Sequence, residues 1–270
     1  MKKFTLEELK KEMETISKSW HKSIAKGDQG PGRTLENLLG VPENNISLPD
    51  YGTIELKTKI LKKEDNLSGL TTLFTKEPMP RASIPKVLLS MGWKHWNAGK
   101  NYSENEKAFY ATITPEEFTN RGMTVEITDE KIFIKFEPKK VKRADKDSSI
   151  GNPYPSLGDW LDDIENRKNP HYSEIMPLFY DRKSIEDQFI TKLNNTFFCL
   201  VRQKKVNDKL SFKYESGYIL KGLDKEKVES VYSKGAKFEI SARTKHNHGT
   251  KLRMNMKNLF NLFETSERIL

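Results

Sequence analysis

Apolar and polar residues alternate in one early segment of the chain. Ile54 and Leu56 fall on one face of this segment, and Glu55 and Lys57 fall on the other. A period of two residues is typical of a β-strand with one buried face. Asp50 lies shortly before this strand. The pattern therefore predicts that two carboxylates and one ammonium group lie near the point where the strand begins.

Two helices are predicted before this strand. Apolar residues recur at helical spacing over residues 6–24, and Thr5 with Glu8 forms the sequence pattern of a capping box. The glycines of residues 27–32 are expected to end this helix in a flexible turn. A second, shorter helix is then expected to begin at Thr34.

The rest of the chain contains segments with the strand period and segments with the helix period. Further strands are predicted at residues 70–75, 109–113, 124–128, 131–136, 196–201, 211–214, 218–220 and 237–242. Further helices are predicted at residues 85–91, 160–164, 185–193, 225–232 and 256–263. Residues 138–155 are polar and basic and have no apolar period, so they are the predicted linker.

The composition favours a folded protein with a polyanionic partner. Lys and Arg total 47 against 38 Asp and Glu, which gives a net charge of +9. An aromatic content of 10% argues against wholesale disorder. The mean hydropathy is −0.74, and no long apolar run or signal peptide is visible, so a cytoplasmic protein without a membrane span is expected. Cys199 is the only cysteine, which excludes an intrachain disulfide and a cysteine-rich zinc site.

The early carboxylates suit a divalent metal. Mg²⁺ prefers oxygen ligands and keeps several waters, one of which a nearby lysine can orient. Glu36, on the predicted second helix, is a further carboxylate for the same metal, and the glycines at residues 30 and 32 allow close approach to a phosphate. The alternative is a solvated strand face after an ordinary turn, and the residues alone leave it open.

A second polar cluster covers residues 245–255. Its His, Asn, Arg and Lys side chains are those that read base edges in the major groove, and Arg253 can donate two hydrogen bonds to a guanine. A basic surface loop without a role is the alternative. His246 and His248 are also potential zinc ligands, but no third ligand lies nearby in the sequence, which disfavours a structural zinc site.

Four islands of sequence resemble the MvaI/BcnI group of type II restriction endonucleases, which is related to the MutH mismatch-repair nickase. They are residues 30–36 (GPGRTLE), Asp50 with residues 54–58 (IELKT), residues 70–78 (LTTLFTKEP), and residues 246–250 (HNHGT) with 253–256 (RMNM). The last island is the more specific one for restriction enzymes of this group.

The resemblance implies a PD-(D/E)xK fold of the α/β (α+β) class. Such a fold has a central mixed sheet flanked by helices and two lobes that form a DNA-binding cleft. Residues 1–140 would be mainly the catalytic lobe and residues 141–270 mainly the DNA-recognition lobe.

The same resemblance assigns the catalytic roles. Asp50 and Glu55 would bind Mg²⁺, with the Leu56 carbonyl as a further oxygen. Lys57 would position or polarise the attacking water, and Glu36 would support the site.

The resemblance also implies a set of DNA-binding residues. They are Glu239, Ser241, Lys245, His246, Asn247, His248 and Arg253. His246, His248 and Arg253 would contact base edges. A relative carries Asp in place of Asn247, and Asp and Arg in place of Glu239 and Ser241, so the base pairs recognised are expected to differ.

These expectations combine into one function. The chain is expected to be a Mg²⁺-dependent type II restriction endonuclease that cuts both strands of double-stranded DNA at a short CC-N-GG-like site. No obligate protein partner is expected, and a monomer is one expected state, because some members act as monomers that nick the strands in turn. The alternatives are a MutH-like nickase that works with repair partners, and a DNA-binding module with an inactive site.

Overall fold

The computed structural model describes residues 5–42, 48–61, 69–80, 83–146, 153–167, 178–244 and 246–270. Its helices are α1 (Leu6–Ile16), α2 (Gly30–Leu38), α3 (Ser83–Met91), α4 (Leu157–Asn166), α5 (Arg182–Leu193), α6 (Lys225–Ser230) and α7 (Met256–Leu259). Shorter helical turns cover Gly27–Gln29, Val231–Gly235 and Phe260–Leu262. Among these described residues, no helix is both long and apolar enough to cross a membrane.

Strands alternate with these helices. They are β1 (His21–Lys22), β2 (Glu55–Ile60), β3 (Leu70–Lys76), β4 (Trp93–Lys94), β5 (Lys107–Ile113), β6 (Arg121–Ile127), β7 (Lys131–Val141), β8 (Leu178–Asp181), β9 (Asn195–Val206), β10 (Lys209–Leu223), β11 (Ala236–Arg243), β12 (His246–Asn255) and β13 (Phe263–Arg268). The mixed α/β class predicted from the sequence is confirmed.

The chain forms two compact units, each built from separated segments. The first unit contains Met1–Thr71, Glu186–Val228 and Asn255–Leu270, and the second contains Thr72–Ile185 and Glu229–Met254. The expected division at residue 140 concerns function, and it stays a prediction, as do the two lobes implied around DNA.

The sheet of the first unit carries the candidate catalytic strand at its edge. Its strand order is β1-β10-β9-β2, with β13 paired to β10 as well. β2 pairs with β9 in parallel, from Glu55 opposite Thr196 to Ile60 opposite Val201, whereas β9 and β10 are antiparallel. The apolar face of this sheet includes Leu56 and joins a buried cluster.

The second unit contains a five-stranded sheet in the order β3-β12-β11-β5-β4 and a three-stranded sheet in the order β6-β7-β8. Burial alternates strictly along β11: Phe238 and Ile240 are almost fully buried, while Glu239 and Ser241 are only partly covered. The late polar segment is therefore a strand, β12, and it pairs with the polar-faced β11.

Two predictions near the N-terminus are wrong. α1 ends at Ile16 rather than near residue 24, because the next residues form β1, which pairs with β10 through His21 and Lys22. The glycine-rich turn is instead largely helix, since α2 begins at Gly30 with Pro31 in its first turn, where a missing N–H costs nothing.

Several later boundaries also differ from the predictions. The predicted linker begins inside β7, which continues to Val141 because it pairs back with β6 at Arg121. The two short strands predicted over residues 211–220 are one strand, β10, with an irregularity between Tyr214 and Ser216. The helix predicted up to residue 263 gives way to β13, which pairs with β10.

Candidate active site

A tight turn places Asp50 beside the candidate catalytic strand. Tyr51 and Ile54 exchange two backbone hydrogen bonds of 2.8 and 2.9 Å. Gly52 lies inside this turn with a φ of 63°, a conformation that glycine adopts without strain. The turn reverses the chain, so that Asp50 Oδ2 accepts a hydrogen bond of 3.1 Å from the Leu56 amide.

Asp50, Glu55 and Lys57 therefore lie together, as the sequence pattern predicts. Lys57 Nζ donates a hydrogen bond of 2.6 Å to Glu55 Oε1. The charge of Asp50 is one of the influences that raise the pKa of Glu55, which places the two carboxylates in electrostatic contact.

Glu55 is an unusually buried carboxylate, with 2% of its surface exposed. Burial is the main cause that raises its pKa, because the charged form loses its hydration. Lys57 and Lys192 oppose this effect, but the pKa of Glu55 remains raised. A cation added next to this carboxylate would stabilise its charged form.

Lys192 is a neighbour of Glu55 that sequence reasoning missed. It comes from the last turn of α5, and its Nζ lies 3.5 Å from Glu55 Oε2. The two residues are far apart in the chain, and they meet because β9 starts just after α5 and pairs in parallel with β2. Only a correct prediction of that parallel pairing would have identified Lys192.

The site suits a hard divalent cation. Glu55 Oε2 is buried and accepts no hydrogen bond, and with Lys192 Nζ at 3.5 Å this oxygen can still bind a cation directly. The N–H and C=O of one strand residue point to the same side, so the Leu56 carbonyl points to the edge where Asp50 binds the Leu56 amide. Within the described ranges, no three or more His, Cys, Asp or Glu side chains form a metal cluster. Mg²⁺ needs only one or two carboxylates with waters, so the residues present fit it.

Glu36 lies on α2, which packs against β2. Its Oε1 lies 3.7 Å from the position of a Cβ added at Gly32, and Thr58 Oγ1 lies 3.6 Å from the same position. Thr58 and Lys57 are adjacent in β2, so their side chains point to opposite faces of the strand. Glu36 therefore approaches the face of β2 that carries Thr58. Its support of the metal site stays a prediction.

Glu239 and Arg253 meet on the polar face formed by β11 and β12. Glu239 Oε2 accepts a short hydrogen bond from Arg253 Nη1, and its Oε1 accepts one of 3.1 Å from Lys251 Nζ. Burial by itself raises the pKa of Glu239, but these two donors outweigh it and hold the pKa below the usual value. Arg253 Nε is buried without a hydrogen-bond partner, and the Arg253 side chain as a whole is 27% exposed.

The remaining predicted DNA-binding residues are only partly described. Ser241 shares the polar face of β11 with Glu239. The backbones of His246 and Asn247 pair with Arg243 and Ala242 of β11. The side chains of His246, Asn247 and His248, and the whole of Lys245, lie outside the described residues.

Arg243 is another residue that sequence reasoning missed. It follows Glu239 and Ser241 at the strand period of two, which was the available signal. Its Nη1 donates a hydrogen bond of 3.1 Å to Glu106, a carboxylate with 1% exposure, and its guanidinium lies 4.3 Å from the ring centre of Tyr102. The arginine is thus held rigidly on the polar face of the sheet.

The chain is similar to known proteins in sequence and in fold. The model of the MvaI/BcnI restriction endonuclease family matches residues 10–263. A solved structure of the restriction endonuclease MvaI in complex with its cognate DNA substrate matches with a TM-score of 0.71 at 21% identity, over 100% of both chains. A structure of MvaI without DNA matches with a TM-score of 0.47 at 21% identity, over 100% of this chain and 99% of that one. No curated protein sequence matches the chain.

Proposed function

The chain belongs to the MvaI/BcnI restriction endonuclease family and is therefore a type II site-specific deoxyribonuclease, and we propose that it uses Mg²⁺ to hydrolyse both strands of a short, near-palindromic DNA site. One observation carries the assignment of the active site. Glu55 is buried between two lysines, with Asp50 beside it and with one of its oxygens lacking a hydrogen bond. Its Oε2 accepts no hydrogen bond and has Lys192 Nζ at 3.5 Å, so it is the carboxylate oxygen that a metal ion could bind.

The residues of the site divide the chemistry between them. Asp50, Glu55 and the Leu56 carbonyl would hold Mg²⁺, which supplies a Lewis acid for the charge that develops on the phosphate. Lys57 would orient the attacking water for in-line attack on phosphorus, since its ammonium is already fixed 2.6 Å from Glu55 Oε1. Glu36 would support the site from α2.

The proposed substrate is double-stranded DNA with a CC-N-GG-like site, read by the polar face of β11 and β12. Arg253 supports this proposal, because Glu239 holds its guanidinium on the polar face while the side chain stays partly exposed. A guanidinium held in this way can donate two hydrogen bonds to a guanine edge. His246, Asn247 and His248 would read bases from the same strand.

We propose further that the enzyme acts in the cytoplasm without an obligate protein partner, with a monomer as one expected state. The net charge of +9 supports direct binding to DNA. Cys199 is free and buried, which is compatible with a reducing compartment.

The test separates cutting from binding. Asp50→Ala and Lys57→Ala should each abolish cleavage of a sequenced plasmid in Mg²⁺ and leave specific binding largely intact. Lys221→Ala, which removes an exposed lysine from β10 of the same sheet, is the control and should cut normally. Cleavage by the Asp50→Ala or Lys57→Ala protein would contradict the assignment. Fragment ends from the unaltered enzyme would give the site, the stagger and the number of strands cut.

A further inference from the structure

The strands β9 and β10 continue beyond the catalytic part of their sheet. Among the described residues, β9 pairs with β2 as far as Val201, and its last residues pair with β10 alone. A two-residue turn, Asn207 and Asp208, closes this hairpin with φ values of 48° and 58°. Such a turn matches the right-handed twist of its strands, so the hairpin is a well-defined structural element.

One face of this hairpin is strongly cationic. Its members, together called the cationic hairpin face, are Lys22, Arg202, Lys204, Lys209 and Lys213. The register places them there: Lys213 lies opposite Arg202, and Ser211 lies opposite both Lys204 and Lys22 of β1. Residues directly opposite each other, or two apart along one strand, share a face.

The charges on this face are poorly compensated. Lys213 stands directly opposite Arg202, an arrangement of like charges that destabilises a strand pair. Glu215 pairs with Arg202 at 2.5 Å, and Lys204 Nζ lies 4.1 Å from the ring centre of Trp20. Among the described residues, no carboxylate forms an ion pair with Lys22, Lys209 or Lys213.

The cationic hairpin face lies on the same face of the same sheet as the candidate catalytic residues. The parallel register sets Glu55 opposite Thr196 and Lys57 opposite Phe198. Steps of two along β9 then lead from Thr196 to Arg202 and Lys204, without a change of face. Glu55 and Lys57 thus face the same side of the sheet as these cations, and the buried Phe198, which packs against Phe260, lies between the two groups.

Strand geometry gives the separation. Arg202 and Lys204 follow Thr196 by six and eight residues, which at about 3.3 Å per residue is roughly 20 to 26 Å. One base pair of duplex spans about 3.4 Å, so a duplex that lies along β9 would cover this distance with about six to eight base pairs. A short recognition site does not extend that far from its own cut.

We propose that the cationic hairpin face binds phosphates of the duplex that flanks the recognition site, about six to eight base pairs from the bond being cut. The inference rests on the proposed function, because the register relates the cations to the catalytic strand. This electrostatic contact is additional to those at the recognition site, and it does not depend on the DNA sequence. The contact anchors flanking DNA and contributes only when flanking DNA is present.

The experiment measures binding to two duplexes without Mg²⁺, so that neither is cut. Both carry the same site, one with about three flanking base pairs on each side and the other with about fifteen, lengths chosen to fall below and above the proposed contact. The Lys204→Glu, Lys209→Glu double variant should bind the long duplex at least tenfold more weakly. Its log–log salt slope should fall by about two, because each phosphate contact contributes about 0.9. Binding to the short duplex should change less than twofold.

Two further double variants serve as controls. Lys221→Glu with Lys225→Glu makes the same charge change at the other end of β10 and in α6, and should leave the flank effect unchanged. Lys204→Gln with Lys209→Gln should give a smaller loss in the same direction, and near-ultraviolet circular dichroism should show that each variant is folded.

Two outcomes would overturn the inference. Unchanged affinity and salt slope on the long duplex would show that the face does not touch flanking DNA, and equal weakening on both duplexes would move the contact into the recognition site. These results are separable from failure of the proposed function. If the unaltered enzyme cuts but the flank effect is absent, only the inference fails; if the effect is present without any cutting, only the proposed function fails.

Discussion

At the scale of single residues, Glu55 is a buried carboxylate that lies between two lysines. Lys57 binds one of its oxygens, and Lys192 lies 3.5 Å from the other. The two lysines come from different elements, β2 and α5. We predict that Lys192 is a positioning residue that acts through Glu55 rather than through the substrate.

Replacing Lys192 should weaken metal binding more than DNA binding. Lys192→Met removes a positive charge beside Glu55, whose burial already disfavours the charged form. We expect kcat to fall about tenfold or more at fixed Mg²⁺, with little change in KM for DNA. Titration with Mn²⁺ should show weaker binding by the DNA-free protein, and Lys192→Arg should restore part of it.

Lys183→Met is the matched control, because Lys183 is an exposed lysine in the first turn of the same helix. It should behave as the unaltered enzyme does. If Lys192→Met binds Mn²⁺ normally, the positioning role is wrong.

Glu239 should make a pH-dependent contribution to stability. Arg253 and Lys251 hold its pKa below the ordinary value of 4.5. A depressed pKa means that the stabilisation is present above pH 4.5 and disappears as the pH falls through the pKa of the folded state. Glu239→Gln should therefore lower the free energy of unfolding by about 1 kcal/mol at neutral pH, and by much less in acid.

Urea unfolding at pH 7 and at about pH 3.5 measures this difference, the second value lying below the ordinary carboxylate range. Glu226→Gln, at an exposed position of α6, serves as the reference. An equal loss of stability at both pH values would mean that packing, and not charge, accounts for the effect.

At the scale of elements, α2 depends on one close approach to the sheet. A Cβ added at Gly30 would lie 3.0 Å from both Phe212 Cζ and Ser23 Oγ, whereas one added at Gly32 would make ordinary contacts of 3.6 Å or more. Gly30→Ala should thus lower the free energy of unfolding by about 1–3 kcal/mol, as overpacking does. Gly32→Ala should be neutral or slightly stabilising, because alanine favours helix. Thermal unfolding of both variants checks the pair.

The sequence predicted those elements whose apolar period is set by their own residues. β2 and β11 are of this kind, since alternation alone identifies their two faces. Prediction from the sequence failed where pairing or packing with a residue far away in the chain decides the conformation. Residues 20–24 continue a helical period, but pairing with Phe212 and Ser211 makes His21–Lys22 a strand. Gly30 reads as a turn residue, but it belongs to a helix that packs against an aromatic ring.

The candidate site divides in the same way. Asp50, Glu55 and Lys57 are neighbours in the chain, and local geometry brings them together through one turn and one strand. Lys192 reaches the site only through a pairing between distant strands, which no local pattern reveals.

At the scale of the whole molecule, Cys199 provides a probe of global unfolding. Its thiol is fully buried in the cluster of the first unit, and burial raises its pKa. Both conditions protect the thiol from reagents that attack thiolates. A disulfide reagent should react with it only on unfolding, so the labelling rate should rise with urea in step with the loss of circular dichroism.

Lys221→Cys supplies the comparison, because the new thiol occupies an exposed position on β10 and should react at once. Rapid reaction of Cys199 in the native protein would show that the first unit opens locally.

The parallel pairing of β2 with β9 has a consequence for biosynthesis. Glu55 and its partner Thr196 are separated by about half of the chain, so the pairing must close a very long loop, which makes assembly slow compared with local folding. On the ribosome, Asp50, Glu55 and Lys57 emerge early, but the strand and the lysine that complete their surroundings are translated only after most of the second unit. A nascent chain therefore carries the proposed active site in an unfinished form while it is being made, and we expect the enzyme to gain its ability to cut DNA late in its own synthesis.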